Sequence, residues 1–267
     1  MHDRRIPNEQ LIISTVKIAI EAGKAITEIY NSDFDYQLKK DLSPITEADN
    51  LSHNIIAERL EALVPKIPIL SEENCDIPYR TRSRWTQYWL VDPLDGTKEF
   101  IEGVPHFVVS IALVENGEPI LGVLYNPVST ETFTASKGQG AHLNGEPIRC
   151  TTKEKINEMI ILNSRSETRR GLWKPFDGTF GELRAIGSVA YKLGLTAAGK
   201  ADIFATLRPK NEWDICAGDC IINEAGGKLI DLYGNPRKYN LENTLLEPGL
   251  IAGDVGAVYK TFSILKA

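Results

Sequence analysis

"YWLVDPLDGTKEF", residues 88–100, runs an apolar segment into two acids, Asp92 and Asp95, with Pro93 between them and Gly96-Thr97 straight after. Two carboxylates at the end of one strand repel unless they share a proton, meet a basic neighbour or hold a metal ion. A plain turn needs one Asp and a Gly. A second Asp, delivered by a tryptophan-bearing apolar strand, points to a site rather than a turn.

Upstream, "NEQLIISTVKIAIEAGKAITEIY" spaces Leu11, Ile12, Val16, Ala19, Ile20, Gly23 and Ile26 as one face of an amphipathic helix capped near Asn8. "QLKKDLSPITEAD" reads as loop around Ser43-Pro44, and "NLSHNIIAERLEALV" resumes a helical pattern. "IPILSEE" is a short strand ending in acids. Downstream, "FVVSIALVENGEPILGVLYNP" is a hairpin turning at Asn116-Gly117, continued by the antiparallel strands of "ETFTASKGQGAHLNGEPI". After Cys150 strands and helices alternate. "EMIILNS", "ADIFAT", "KLIDL" and "GLIAG" read as strands, with helices at "SVAYKLGLTAAG", "EWDICAGDCIINEAGG" and "VGAVYKTFSIL". This is α/β layering, divided near residue 150 into units 1–150 and 151–267.

Whole-chain properties narrow the function. A length of 267 residues supports a sizeable core, and a net charge of −6 disfavours a nucleic-acid polymer as partner. A small anionic substrate remains compatible, because a bound cation reverses the local field. No apolar run is long enough to span a membrane, and "MHDRRIPNEQ" lacks the apolar core of a signal peptide, so a cytoplasmic address is expected, with peripheral association with the inner membrane left open. Cys75, Cys150, Cys216 and Cys220 form no CxxC pattern. Cys216 and Cys220, four apart on one helix, read as small buried thiols. The scattered histidines offer no zinc pair.

Glu72, Asp92, Asp95 and Asp214 fall at the ends of expected elements, where open α/β folds gather their chemistry. Carboxylates without histidine or thiolate favour a hard cation, magnesium before zinc. Asp214 alone could equally be a first-turn helix acid. Gly96 permits close backbone approach to a phosphate, and Thr97 offers a hydroxyl to orient water. Together these imply metal-assisted phosphoryl transfer. Phosphate-monoester hydrolysis can need up to ~10²¹-fold acceleration, about 29 kcal/mol, while one placed donor supplies roughly 3–4. Hydrogen bonds alone fall far short. A haloacid-dehalogenase-type enzyme would carry DxDGT early in the chain, whereas here two residues separate the acids and two helices precede them.

The combination of Glu72-Glu73, "DPLDGT", Trp213-Asp214, "EAGG" at 224–227 and an upstream "ITEAD" resembles the lithium-sensitive, magnesium-dependent phosphatases that include inositol monophosphatase. Order and spacing agree from about residue 40 to 230. The resemblance implies an α/β fold, an alternating αβαβα sandwich with the site between two halves. It implies two or three magnesium ions held by Glu72, Asp92, the Leu94 carbonyl, Asp95 and Asp214. Thr97, with Asp49 and Glu72, would position or deprotonate the attacking water, with no covalent intermediate. The backbone at Asp95, Gly96 and Thr97 would hold phosphate, and Lys98, Ser188, Lys210 and Asp214 would complete the substrate contacts. "QLKKDLSPITEAD" would be a mobile flap, and a homodimer is common in the family.

Within that family "DGTKEFI" looks like the 3′(2′),5′-bisphosphate nucleotidases, since inositol monophosphatases usually have Asn where Glu99 stands. The spacing of "GSVAYKLGLTAAGKAD" is closer to the inositol branch. That branch, however, tends to carry a sugar-binding acid seven residues before the last metal-binding Asp. Here Leu207 fills the position, and "LRPKNEWD" brings Arg208 and Lys210 instead. Loss of an acid and gain of cations suit a second phosphate. The expected reaction is removal of the 3′-phosphate from adenosine 3′,5′-bisphosphate. An inositol or sugar phosphatase is the alternative, and a non-catalytic descendant is disfavoured because every expected acid is present.

Overall fold

The computed structural model describes residues 8–38 and 44–266. Its helices are α1 (Asn8–Tyr30), α2 (Glu47–Leu63), α3 (Tyr79–Arg82), α4 (Thr97–Ile101), α5 (Arg165–Arg169), α6 (Val189–Ala197), α7 (Glu212–Glu224) and α8 (Val255–Leu265). A two-stranded pair, β1 (Tyr36–Leu38) and β2 (Pro44–Thr46), leads into α2. Seven strands then form the first sheet in sequence order: β3 (Ile69–Ser71), β4 (Gln87–Asp95), β5 (Val108–Glu115), β6 (Glu118–Asn126), β7 (Glu131–Ser136), β8 (Ala141–Leu143) and β9 (Glu146–Ile148). The second sheet uses β10 (Ile160–Ser164), β11 (Glu182–Ile186), β12 (Ile203–Thr206), β14 (Gly227–Asp231) and β16 (Leu250–Asp254) in the order β11-β10-β12-β16-β14. A small pair, β13 (Lys210–Asn211) with β15 (Leu245–Leu246), stands before α7.

Successive side chains of a strand face opposite ways, so the partners of "YWLV" reveal the layers. Trp89 and Val91 pack with Leu11, Ala19 and Ile26 of α1 and Ile56 and Leu60 of α2. Tyr88 and Leu90 face the other way, toward Leu193 of α6 and Ala217 and Ile221 of α7. Both faces of the sheet are buried, which is why β4 is an unbroken apolar run rather than an alternating one. The same cluster continues to Leu162, Phe204 and Ala252 of the second sheet. Beyond that sheet, Ile161, Ile203 and Ile251 meet Ala257 and Val258 of α8. Helix, sheet, helix, sheet and helix alternate, the αβαβα order expected from the sequence.

The Asn116-Gly117 hairpin turns where the sequence placed it, both residues taking positive φ (53° and 77°). The reading of "QLKKDLSPITEAD" as loop is corrected in part. Tyr36–Leu38 pairs antiparallel with Pro44–Thr46, and the second helix starts at Glu47 because Thr46 and Asp49 form its capping box. Helix α1 starts at Asn8, where the sequence reading put its cap; residues 1–7, and residues 39–43 within the proposed flap, lie outside the described residues. Cys216 and Cys220 are buried and unbonded, as read. No helix among the described residues is long and apolar enough to cross a membrane.

Candidate active site

β3 and β4 run parallel, so their carboxyl ends open on the same edge of the first sheet. Glu72 follows β3 and is pinned by its amide donating to the Val91 carbonyl at 3.1 Å. Strand β4 reaches Asp95, but its register against β5 slips between Asp92 and Asp95. "DPLD" is therefore a bulge, and Pro93 fits there because a bulged residue needs no ladder donor. The Leu94 amide donates to Asp92 Oδ1 at 3.0 Å, which sets the angle of that carboxylate. Gly96 ends the strand at φ 108°, and a Cβ there would lie 2.7 Å from the His106 carbonyl oxygen, so only glycine fits.

Opposite this edge stands α7. Asp214 occupies its first turn, accepting the Asn211 amide on Oδ2 at 3.0 Å. One oxygen of Asp214 thus caps the helix, and the same carboxylate also reaches the acidic cluster. Ligand oxygens of Glu72, Asp92 and Asp214 lie within 4.8 Å of one another. Asp95 sits alongside. Its Oδ2 accepts from Ser188 Oγ and from the Ala190 amide, each at 2.6 Å, at the start of α6.

Burial raises Asp92 and Asp214 well above the usual carboxylate range, with the neighbouring acids adding to the shift. Asp95 is pushed up to about 6, chiefly by burial, against the opposing hydrogen bonds from Ser188 and Ala190. The amino ends of α2, α6 and α7 converge here, and their dipoles favour negative charge, yet they do not cancel the repulsion. Asp92 and Asp214 have no ion-pair partner among the described residues. An all-oxygen cage of buried acids around an open cleft fits a hard divalent cation by its donor chemistry.

Asp49, at the start of α2, accepts the Thr46 amide and hydroxyl on Oδ2, both at 2.7 Å, and the Thr97 hydroxyl on Oδ1 at 3.0 Å. Thr97 Oγ also lies 3.2 Å from the Leu94 carbonyl. Burial raises Asp49 above its ordinary value, and these hydrogen bonds oppose the rise. Glu72, Asp92, Leu94, Asp95, Gly96, Thr97, Lys98, Ser188, Lys210 and Asp214 all line one cleft of about 460 Å³. Asp49 stands behind it, reached through Thr97.

Several cleft residues escaped the sequence reading: Ser164, Arg165, Glu167, Arg170 and Lys192. Helix α5 is too short for apolar periodicity to reveal. Its one local signal is Ser164 three residues before Glu167, the S-x-x-E start of a capping box, with Ser164 Oγ accepting the Glu167 amide. Lys192 hid inside an apolar helix. It is buried, its Nζ donates to the Ile186 and Ser188 carbonyls at 2.9 and 2.5 Å, and burial lowers it to about 8 against the pull of Asp95 and Glu99. Glu99 also links α4 to α5 and to the segment before α6. Arg165 donates to it at 2.9 Å, and a Cβ on Gly187 would fall 2.1 Å from Glu99 Cγ, so Gly187 makes room for that carboxylate.

Comparison with known proteins agrees with this geometry. The profile of the inositol monophosphatase family matches residues 8–262. The 3′(2′),5′-bisphosphate nucleotidase CysQ of Escherichia coli K12 is 37% identical over 243 residues, which cover 87% of this chain and 95% of that protein. The fructose-1,6-bisphosphatase/inositol-1-monophosphatase of Thermotoga maritima is 34% identical over 219 residues, covering 79% and 80%. Among solved structures, extragenic suppressor protein suhB of Bartonella henselae superposes with TM-score 0.84 at 29% identity, covering 96% of this chain and 98% of that one. CysQ of Bacteroides thetaiotaomicron superposes with TM-score 0.79 at 32% identity, covering 94% and 99%.

Proposed function

The chain belongs to the inositol monophosphatase family, and we propose that it is a magnesium-dependent phosphomonoesterase that hydrolyses the 3′-phosphate of adenosine 3′,5′-bisphosphate to give AMP and phosphate. The observation that carries the reading is the convergence of Glu72, Asp92 and Asp214 beneath a cleft whose upper walls are basic. The nucleotidase names of relatives such as that of Escherichia coli support the substrate. The Thermotoga maritima relative supports an inositol or sugar phosphate as the second reading, and the basic lining of the cleft favours the bisphosphate over it. Leu207, at the position where the sequence reading looked for a sugar-binding acid, packs against the α8 cluster and does not line the cleft.

Glu72, Asp92, the Leu94 carbonyl, Asp95 and Asp214 would hold the magnesium. Bound there, the metal would polarise the phosphoryl group and ease deprotonation of water. The protein's own part begins at Thr97. Its hydroxyl gives its proton to Asp49 Oδ1, so its oxygen lone pairs are left to accept a hydrogen from a water in the cleft. Asp49 cannot swing away, because Thr46 holds its other oxygen twice. Its raised proton affinity suits it to draw a proton through Thr97. The amides of Gly96 and Thr97, which line the cleft where the chain turns from β4 into α4, would donate to a phosphate oxygen. Lys192, fixed by two carbonyls, adds positive charge to the wall beside Asp95.

Thr97→Val keeps the volume and removes the hydroxyl. Turnover is expected to fall about 10²–10³-fold with the Michaelis constant little changed. A loss confined to the Michaelis constant would move Thr97 from water to substrate. The proposed reaction itself is tested by incubating the purified protein with adenosine 3′,5′-bisphosphate and magnesium and separating the nucleotides. AMP with a 5′-phosphate should accumulate with equimolar phosphate, and EDTA should stop both. Formation of 3′-AMP, or a rate indifferent to EDTA, would contradict the reading.

A further inference from the structure

We propose that Arg170 and Arg208 form the subsite for the substrate's second phosphate and that Glu167 is the positioning residue that holds them as one rim. The inference rests on the bisphosphate reading above and adds residues to it. Six basic side chains line the cleft. Arg165 is committed to Glu99 and Glu102 at 2.9 and 2.6 Å, and Lys192 to two carbonyls within its own wall. Lys210 donates to the Pro209 carbonyl at 3.0 Å and lies 3.5 Å from that of Arg208. Lys98 follows Thr97 directly, in α4 beside the Asp92–Asp95 bulge. Arg170 and Arg208 are exposed, line the cleft, and make no side-chain hydrogen bond or ion pair with other described residues.

An exposed arginine at a helix end is ordinarily a solvated cation. Two observations set Arg170 apart. Its neighbour Arg169 is taken by Glu102 at 3.2 Å, whereas Arg170 faces the cleft. Beneath it, Glu167 is 1% exposed and accepts three donors, from Trp173 Nε1 at 2.9 Å, Thr206 Oγ at 2.5 Å and the Leu207 amide at 3.2 Å. One buried carboxylate thereby ties α5, three residues before Arg170, to the segment one residue before Arg208. The two guanidinium groups are carried by segments fixed to each other rather than by independent loops. A guanidinium fork meets two phosphate oxygens at once, which a lysine cannot do, and this suits a terminal phosphate at the mouth of the cleft.

The test compares adenosine 3′,5′-bisphosphate with 3′-AMP, which carries the scissile phosphate and lacks the second. The parent should prefer the bisphosphate. Arg170→Ala should reduce the ratio of the two kcat/KM values roughly 10- to 100-fold, through KM for the bisphosphate. Arg170→Lys should restore only part of it, because the fork is lost. Glu167→Gln should lower the same ratio, whereas a residue with a merely structural role would depress both substrates together. If Arg170→Ala keeps the parental ratio within about twofold, the subsite is wrong and the nucleotidase reading stands. If the parent itself does not distinguish the two substrates, both fall.

Discussion

Replacing Asp92 by asparagine is expected to lower turnover at least ~10³-fold while the protein stays folded, because several kcal/mol of transition-state charge stabilisation leave with the cation. Asn keeps the oxygen that accepts the Leu94 amide, so the bulge survives. What changes is the other end, where an amide nitrogen would face Glu72 and Asp214 in place of a third buried carboxylate. Burial and the neighbouring acids already favour the neutral form of Asp92 in the metal-free protein, so an uncharged amide costs it little and its melting temperature should not drop. Magnesium, which binds only the folded parent, should raise the parent's melting temperature and leave the variant's unmoved. Thermal melts with and without magnesium, beside phosphate release, separate this from simple misfolding. A folded Asp92→Asn protein with most of its magnesium-dependent activity would remove the metal assignment.

How much of this was legible in the sequence follows from the range over which each feature is encoded. "YWLVDPLDGT" carries its meaning locally: an apolar run, a proline that cannot join a ladder, and a glycine where only glycine fits. The hairpin at Asn116-Gly117 and the glycine end of α7 are local in the same way, since positive φ selects those residues. Other elements were invisible because their stabilisation is remote. Glu182–Ile186 is a short stretch with two charges in its five residues, and it becomes a strand by pairing in parallel with Ile160–Ser164. Helix α5 has too few turns for periodicity, and its anchor Glu167 binds donors at Trp173, Thr206 and Leu207. Glu99 could be read as a branch marker, yet its contact with Arg165 and its fit against Gly187 needed the fold. The floor of the site was therefore readable, and of its basic rim only Lys98, Arg208 and Lys210, while Arg165, Arg170 and Lys192 needed the fold.

The second large effect concerns that rim. Adenosine 3′,5′-bisphosphate should be preferred over inositol 1-phosphate, because its second phosphate would meet the cations that line the cleft. Charge-assisted contacts to phosphate contribute about 1.5–3 kcal/mol each, so one or two of them shift kcat/KM by roughly 10- to 10⁴-fold. Arg208 is exposed and lines the same cleft as the acids that would take the 3′-phosphate. Position and charge thus point the same way, toward a substrate with anions at both ends.

The most direct measurement is kcat/KM for adenosine 3′,5′-bisphosphate and for inositol 1-phosphate, side by side, at one fixed saturating magnesium concentration. The account predicts at least a roughly tenfold preference for the bisphosphate, with AMP as product. Equal values, or a preference for inositol 1-phosphate, would contradict the nucleotidase assignment and leave a magnesium phosphatase of the other branch.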